Sequence, residues 1–146
     1  MLKLVASLAA AALLSGCQTQ DEALTTSSTP VAVTGPAASA IAGDMASRLA
    51  EQIGPAGSTT TIRMERDASE YAVALEAALK GWGYRFITEG KVAKDTKPVE
   101  LVYAIEGFEG QILARLSTPS IALSRAYTPT AAGATPASPL SIMQRN

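Results

Sequence analysis

Apolar positions along the chain fall into three patterns, and each predicts a different element. The first is an unbroken run, Leu4 to Leu14, interrupted only by Ser7 and preceded by Lys3. Eleven helical residues reach about 16 Å, roughly half of a hydrocarbon core, so the run is the hydrophobic region of a secretory signal and not a membrane span.

The second pattern repeats every 3.6 residues. Ile41, Met45, Leu49 and Ile53, flanked by Ala38, Ala42 and Ala46, predict a helix over 37–53. Pro36 suits its first turn, and Gly54-Pro55 stops it. Tyr71, Leu75, Ala78, Leu79 and Trp82 form one apolar stripe of a second helix. Asp67 followed by Glu70 reads as an Asp variant of the capping box, and Gly81 and Gly83 end the helix around Trp82.

The third pattern is alternation, the mark of strands with one buried face. It runs through 59–64 (Thr60, Ile62 and Met64 on one side), Tyr84–Thr88, and 100–106 (Leu101, Tyr103 and Ile105). It resumes over 111–117 (Ile112, Ala114 and Leu116) and 121–128, where Leu123 and Tyr127 are in phase. Gly107-Phe108-Glu109-Gly110 and Thr118-Pro119-Ser120 supply the turns.

The resulting order is α-β-α-β-β-β-β. It predicts an α+β domain over 36–128, with two amphipathic helices packed on one face of a small, mainly antiparallel sheet. The first strand-helix-strand stretch suits a right-handed parallel crossover. Residues 89–98, with Lys91, Lys94 and Lys97, read as an exposed loop. Residues 129–146 are a Pro/Ala-rich C-terminal tail of the kind that is normally disordered. Near its end Leu140, Ile142 and Met143 can dock on the sheet or on another chain, which makes them a candidate partner-binding segment.

The apolar run ends in Leu14-Ser15-Gly16-Cys17, which looks like a bacterial lipobox: a leucine, two small residues and a cysteine. Small residues admit the signal peptidase, and the thiol takes a diacylglycerol. Cleavage before Cys17 frees an amine for a further acyl chain. The expected division is a lipoprotein signal peptide over 1–16 and a lipidated Cys17 with a flexible, polar tether over 17–35. An ordinary secretory signal, or a buried helix with an incidental cysteine, is the alternative. Each buried methylene contributes about 0.8 kcal/mol, so two or three acyl chains hold a protein on a bilayer essentially permanently. Gln18 stands where an aspartate would retain such a protein in the inner membrane. The expected location is therefore the periplasmic face of the outer membrane.

Composition removes most chemistry. The 146 residues contain 12 Lys+Arg, 13 Asp+Glu, one Cys and no His. Removing 1–16 leaves 11 basic and 13 acidic residues. No basic field exists to gather nucleic acid. No His is present for a nucleophilic triad or a transition-metal site, and a single Cys allows neither an internal disulfide nor a zinc cluster. No glycine lies in a phosphate-cradling spacing. No cofactor, small-molecule substrate or enzymatic activity is expected. Paired carboxylates remain: Glu106 and Glu109 flank a hairpin, and Glu65 and Asp67 mark a corner. They leave a small carboxylate-dependent hydrolase as one rival reading. Trp82 and Tyr84 can stack on a sugar or a base, although their place at a helix end suits core packing.

The strings Ala40-Ile41-Ala42-Gly43-Asp44-Met45-Ala46-Ser47-Arg48-Leu49-Ala50-Glu51-Gln52-Ile53-Gly54-Pro55 and Ala74-Leu75-Glu76-Ala77-Ala78-Leu79-Lys80-Gly81-Trp82-Gly83-Tyr84 resemble the TrbH family of conjugal transfer lipoproteins. Residues 111–117 and the ending 137–145 add to the likeness. None of these strings is a catalytic motif. The resemblance implies a structural or assembly role in mating-pair formation, beside the outer-membrane core subunits of a type IV secretion channel. A periplasmic lipoprotein that scaffolds or regulates cell-wall enzymes is the other binding-class reading of the same features.

Overall fold

The computed structural model describes residues 33, 35–54, 60–65, 67–87 and 97–146. They form α1 (Gly35–Ile53), β1 (Thr61–Met64), α2 (Glu70–Gly81), β2 (Arg85–Ile87), β3 (Val99–Phe108), β4 (Gln111–Ser117), β5 (Ile121–Thr130), β6 (Gly133–Pro136) and β7 (Ser141–Gln144). The signal peptide, the lipobox, nearly all of the tether, Lys91 and Lys94 lie outside the described residues.

Both helices bury the stripes their spacing predicts, except for Trp82 at the end of α2. Ile41, Met45 and Leu49 of α1 and Tyr71, Leu75 and Leu79 of α2 are almost inaccessible. Each large apolar side chain so buried stabilises the fold by about 2 kcal/mol. The alanines between them let the helices lie close to each other and to the sheet. The N-cap of α2 is Ser69, whose hydroxyl accepts from Ala72 N at 3.1 Å. Asp67 is therefore not the cap. Its carboxylate instead accepts from the Ser69 amide at 3.1 Å and from the Tyr103 hydroxyl at 2.9 Å, fixing the entry to α2 against β3. Tyr71 meets Tyr103 edge to face, with centroids 5.8 Å apart.

The far end of α2 closes in a Schellman turn. Gly83, with φ +95°, donates to Lys80 O, and Tyr84 N donates to Leu79 O at 3.2 Å. That turn carries Tyr84 into the core, where its hydroxyl donates to Gly54 O at 2.7 Å. Trp82 occupies the cap and is 48% exposed. The core role expected for the pair therefore holds for Tyr84 and fails for Trp82, because the helical period ends one residue before it.

The sheet order is β2-β1-β3-β4-β5-β6, with β7 also paired to β5. β1 lies parallel to both β2 and β3, and every other pairing is antiparallel. β1, α2 and β2 thus form the parallel crossover. In β3 and β4 the predicted residues point inward: Leu101, Tyr103 and Ile105, then Ile112, Ala114 and Leu116. The β3–β4 hairpin turns through Glu109 and Gly110, both at positive φ as a two-residue type I′ loop requires.

The C-terminal residues correct the sequence reading most. β5 runs on to Thr130, and the presumed tail over 129–146 folds back along the outer edge of β5 as β6 and β7. Between β6 and β7 the register slips by two residues, so Ala137 to Leu140 form a bulge. Ala137 N donates to Ala126 O at 2.8 Å, and Ala126 N donates to the Ser138 hydroxyl at 2.9 Å. Prolines are tolerated because the segment is an edge strand with a bulge, where a missing N–H breaks no ladder. A close contact fixes this edge: a Cβ on Gly133 would lie 3.3 Å from the Ala40 Cβ of α1.

Candidate functional site

No lipobox residue (Leu14, Ser15, Gly16 or Cys17) is among the described residues. Of the candidate partner segment, Leu140 is half-buried against the core, whereas Ile142 and Met143 are 44% and 60% exposed on β7. Direct pairing with Leu123 turns Ile142 toward the helical side, and pairing with Ala122 turns Met143 toward the opposite face. The segment is thus a structural strand that still offers apolar side chains to solvent on both faces.

The strongest polar constellation joins α1, β5 and the bulge. It escaped the sequence reading. The Asp44 carboxylate accepts at Oδ2 from Arg125 Nη1 at 2.9 Å and from the Tyr127 hydroxyl at 2.6 Å. Arg48 Nε stands 3.5 Å from its other oxygen. Arg125 Nε donates to Ser138 O at 3.1 Å, so one guanidinium ties α1 to the bulge that starts β7. Burial, followed by the hydrogen bond to Asp44, pushes the Tyr127 phenol well above its ordinary pKa. Both ends of this cluster face into the packed layer between helix and sheet. Arg125 and Tyr127 spend these donors on Asp44 and Ser138, so the chemistry of the cluster is cohesion. A signal for it did exist, since Arg125 falls in the inward phase between Leu123 and Tyr127, a place that demands a partner for its charge.

The carboxylates considered for hydrolysis do not converge. Glu109 is exposed in the hairpin turn, and Glu106 is partly exposed on β3. Glu65 is exposed after β1, while Asp67 is bound to Ser69 and Tyr103. Among the described residues no group of three His, Cys, Asp or Glu is placed to hold a metal ion. Lys97 is exposed. Between the helices lies an open groove of about 600 Å³, lined by Pro36, Ala38, Ser39, Val73, Ala74 and Ala77. Beside it the Glu70 carboxylate accepts from Gly35 N, tying α2 to the start of α1. No described helix is long and apolar enough to cross a membrane.

No solved structure matches the chain. A curated protein of Sinorhizobium fredii (strain NBRC 101917 / NGR234), described as a probable conjugal transfer protein TrbH, is 70% identical over 149 aligned positions that cover all of both chains. The family profile of conjugal transfer protein TrbH matches residues 19–146, which include every described residue. Together these matches assign the chain to a conjugal transfer family that is not a known enzyme family: it belongs to the TrbH family.

Proposed function

We propose that this TrbH-family protein is a lipid-anchored, non-catalytic component of the conjugal transfer apparatus, held on the periplasmic face of the outer membrane. The observation that carries the reading is the Leu14-Ser15-Gly16-Cys17 string at the end of an eleven-residue apolar run. It places the chain's one thiol where a lipoprotein signal peptidase leaves its new N-terminus. The polar residues between Cys17 and Val33 then act as a tether, with a reach of up to about 50 Å when fully stretched. Two or more acyl chains make such attachment effectively irreversible.

The folded domain serves as a binding module at the end of this tether. Its partners are other subunits of the type IV secretion channel, engaged through the exposed sheet edge formed by β7 and its apolar Ile142 and Met143. No direct contact with the transferred DNA is needed, and the small net negative charge does not favour one.

The test is Cys17→Ser in donor cells. The expected result is loss of lipid labelling, release of the protein from the outer-membrane fraction, and a fall in transfer frequency. Unchanged labelling, fractionation and transfer would overturn the proposal.

A further inference from the structure

The two helices cover one face of the sheet, and among the described residues no element covers the other. On that open face the strand register aligns Ala104, Arg115, Ser124 and Ser141 in one row across β3, β4, β5 and β7. The next row is Val102, Ser117, Ala122 and Met143. A solvated sheet face ordinarily carries long polar side chains. Here the floor is alanine and serine, and Ala104 and Ala122 are only 5% and 7% exposed although none of the described helices packs on this face.

Arg115, Met143 and Arg145 rise around this floor and enclose a recess of about 240 Å³ with Ala122, Ser124 and Ser141. Arg145 is held there because its backbone N–H donates to Ser120 O at 2.8 Å. Neither guanidinium has a carboxylate partner among the described residues. The described ion pairs are Arg48 with Asp44 and Glu51, Arg63 with Glu100, Lys80 with Glu76, and Arg125 with Asp44. Glu106 stands opposite Leu113, one diagonal from Arg115, and forms no ion pair with it. Two unneutralised guanidiniums, two hydroxyls and a protruding thioether thus surround a shallow apolar floor.

We propose that this recess docks an acidic segment of a partner polypeptide. A carboxylate of that segment is taken by Arg115 and Arg145, and its apolar neighbours cover Ala122 and Met143. Planar guanidinium forks match carboxylates in charge and geometry. The recess lies below the roughly 300 Å³ at which small-molecule sites begin, which fits one side chain on a larger surface. A sheet with one open face bearing apolar residues gains a third layer from such a partner. The site rests on the assembly role proposed above and is independent of the lipid on Cys17.

The experiment uses the full-length protein in donor cells. A photo-reactive p-benzoylphenylalanine replaces Ser124 in the recess or, as a control, Val73 on the exposed side of α2. The expected result is a cross-link at Ser124, absent at Val73, to one protein of the transfer apparatus. Arg115→Glu with Arg145→Glu reduces that cross-link and DNA transfer by roughly tenfold or more, the scale for removing one side of a desolvated charge pair. Exchanging the captured acidic residue for Arg restores both, and thermal unfolding verifies that the variant domain is folded. A cross-link to lipid, no cross-link, or one indifferent to charge reversal overturns the recess as a polypeptide site. If transfer does not depend on the gene at all, the assembly role itself falls.

Discussion

Tyr127 on β5 donates its phenolic hydrogen to Asp44 on α1 at 2.6 Å, across 83 residues of sequence. This bond, with Arg125 on the same carboxylate, is where the first helix and the C-terminal half of the sheet are locked to one another. Because Arg125 also holds Ser138 O, the lock extends to the strand that ends the chain.

Removing the acceptor leaves a largely buried cation and a buried phenol without their partner. Asp44→Ala should destabilise the domain by about 2 kcal/mol and Tyr127→Phe by about 1 kcal/mol. Urea unfolding of the single and double variants should show non-additivity, because the two groups share one bond. Additive losses would mean that the bond contributes nothing of its own.

All four tyrosines of the chain, Tyr71, Tyr84, Tyr103 and Tyr127, have phenols raised above the ordinary value, chiefly by burial. Tyr103 is pushed up to about 12. A raised phenol holds its proton more tightly in the folded chain than in the unfolded one. The stabilisation is therefore complete below about pH 10 and is lost as pH climbs toward the folded values. Ultraviolet titration should show less tyrosinate at pH 10 than free tyrosine gives, with most of it appearing cooperatively with unfolding at higher pH. A non-cooperative tyrosine titrating near 10 would contradict the packing described.

Gly133 marks the closest approach of α1 to the edge of the sheet. Gly133→Val inserts a branched side chain against Ala40 and should cost about 1–3 kcal/mol by overpacking. Ala40→Gly in the same chain should recover part of the loss. Thermal unfolding of the pair of variants measures both effects.

Truncation after Leu140 deletes β7 and bares the edge of β5 over Ile121–Ser124. Hydrogen exchange should accelerate at those amides whose ladder bonds are lost, while Tyr127–Thr130, paired with β6, retain their protection. The newly open edge should also raise the tendency to self-associate, measurable by light scattering.

Glu109 occupies a positive φ of 48° in the β3–β4 turn, followed by Gly110 at 77°. Glu109→Asn replaces a residue ill suited to that conformation with one that tolerates it. The domain should gain a few tenths of a kcal/mol to about 1 kcal/mol in thermal or urea unfolding. A loss of stability would show that the exposed carboxylate has a structural partner.

Local order was legible in the sequence because it is written in periods. The stripe Ile41–Met45–Leu49, the stripe Tyr71–Leu75–Leu79 and the alternation of Leu101, Tyr103 and Ile105 each place their side chains before any neighbour is known. They gave both helices, five of the strands nearly to their ends, and the architecture of helices on one sheet face. The family was legible as likeness, since the strings 40–55 and 74–84 carry no chemistry of their own.

Tertiary structure alone decided the C-terminal third of the sheet. Gly133–Pro136 and Ser141–Gln144 are too short to announce strands, the first also being rich in small residues and proline, and they acquire that form from the hydrogen-bonding edge of β5. The same holds for Asp44, Arg125 and Tyr127, whose meeting depends on how α1 crosses the sheet, and for Arg115 and Arg145, which come from different strands to line one recess. Periodicity fixes which way a side chain points. What it points at depends on contacts between segments far apart in sequence, and those come into being only when the chain packs.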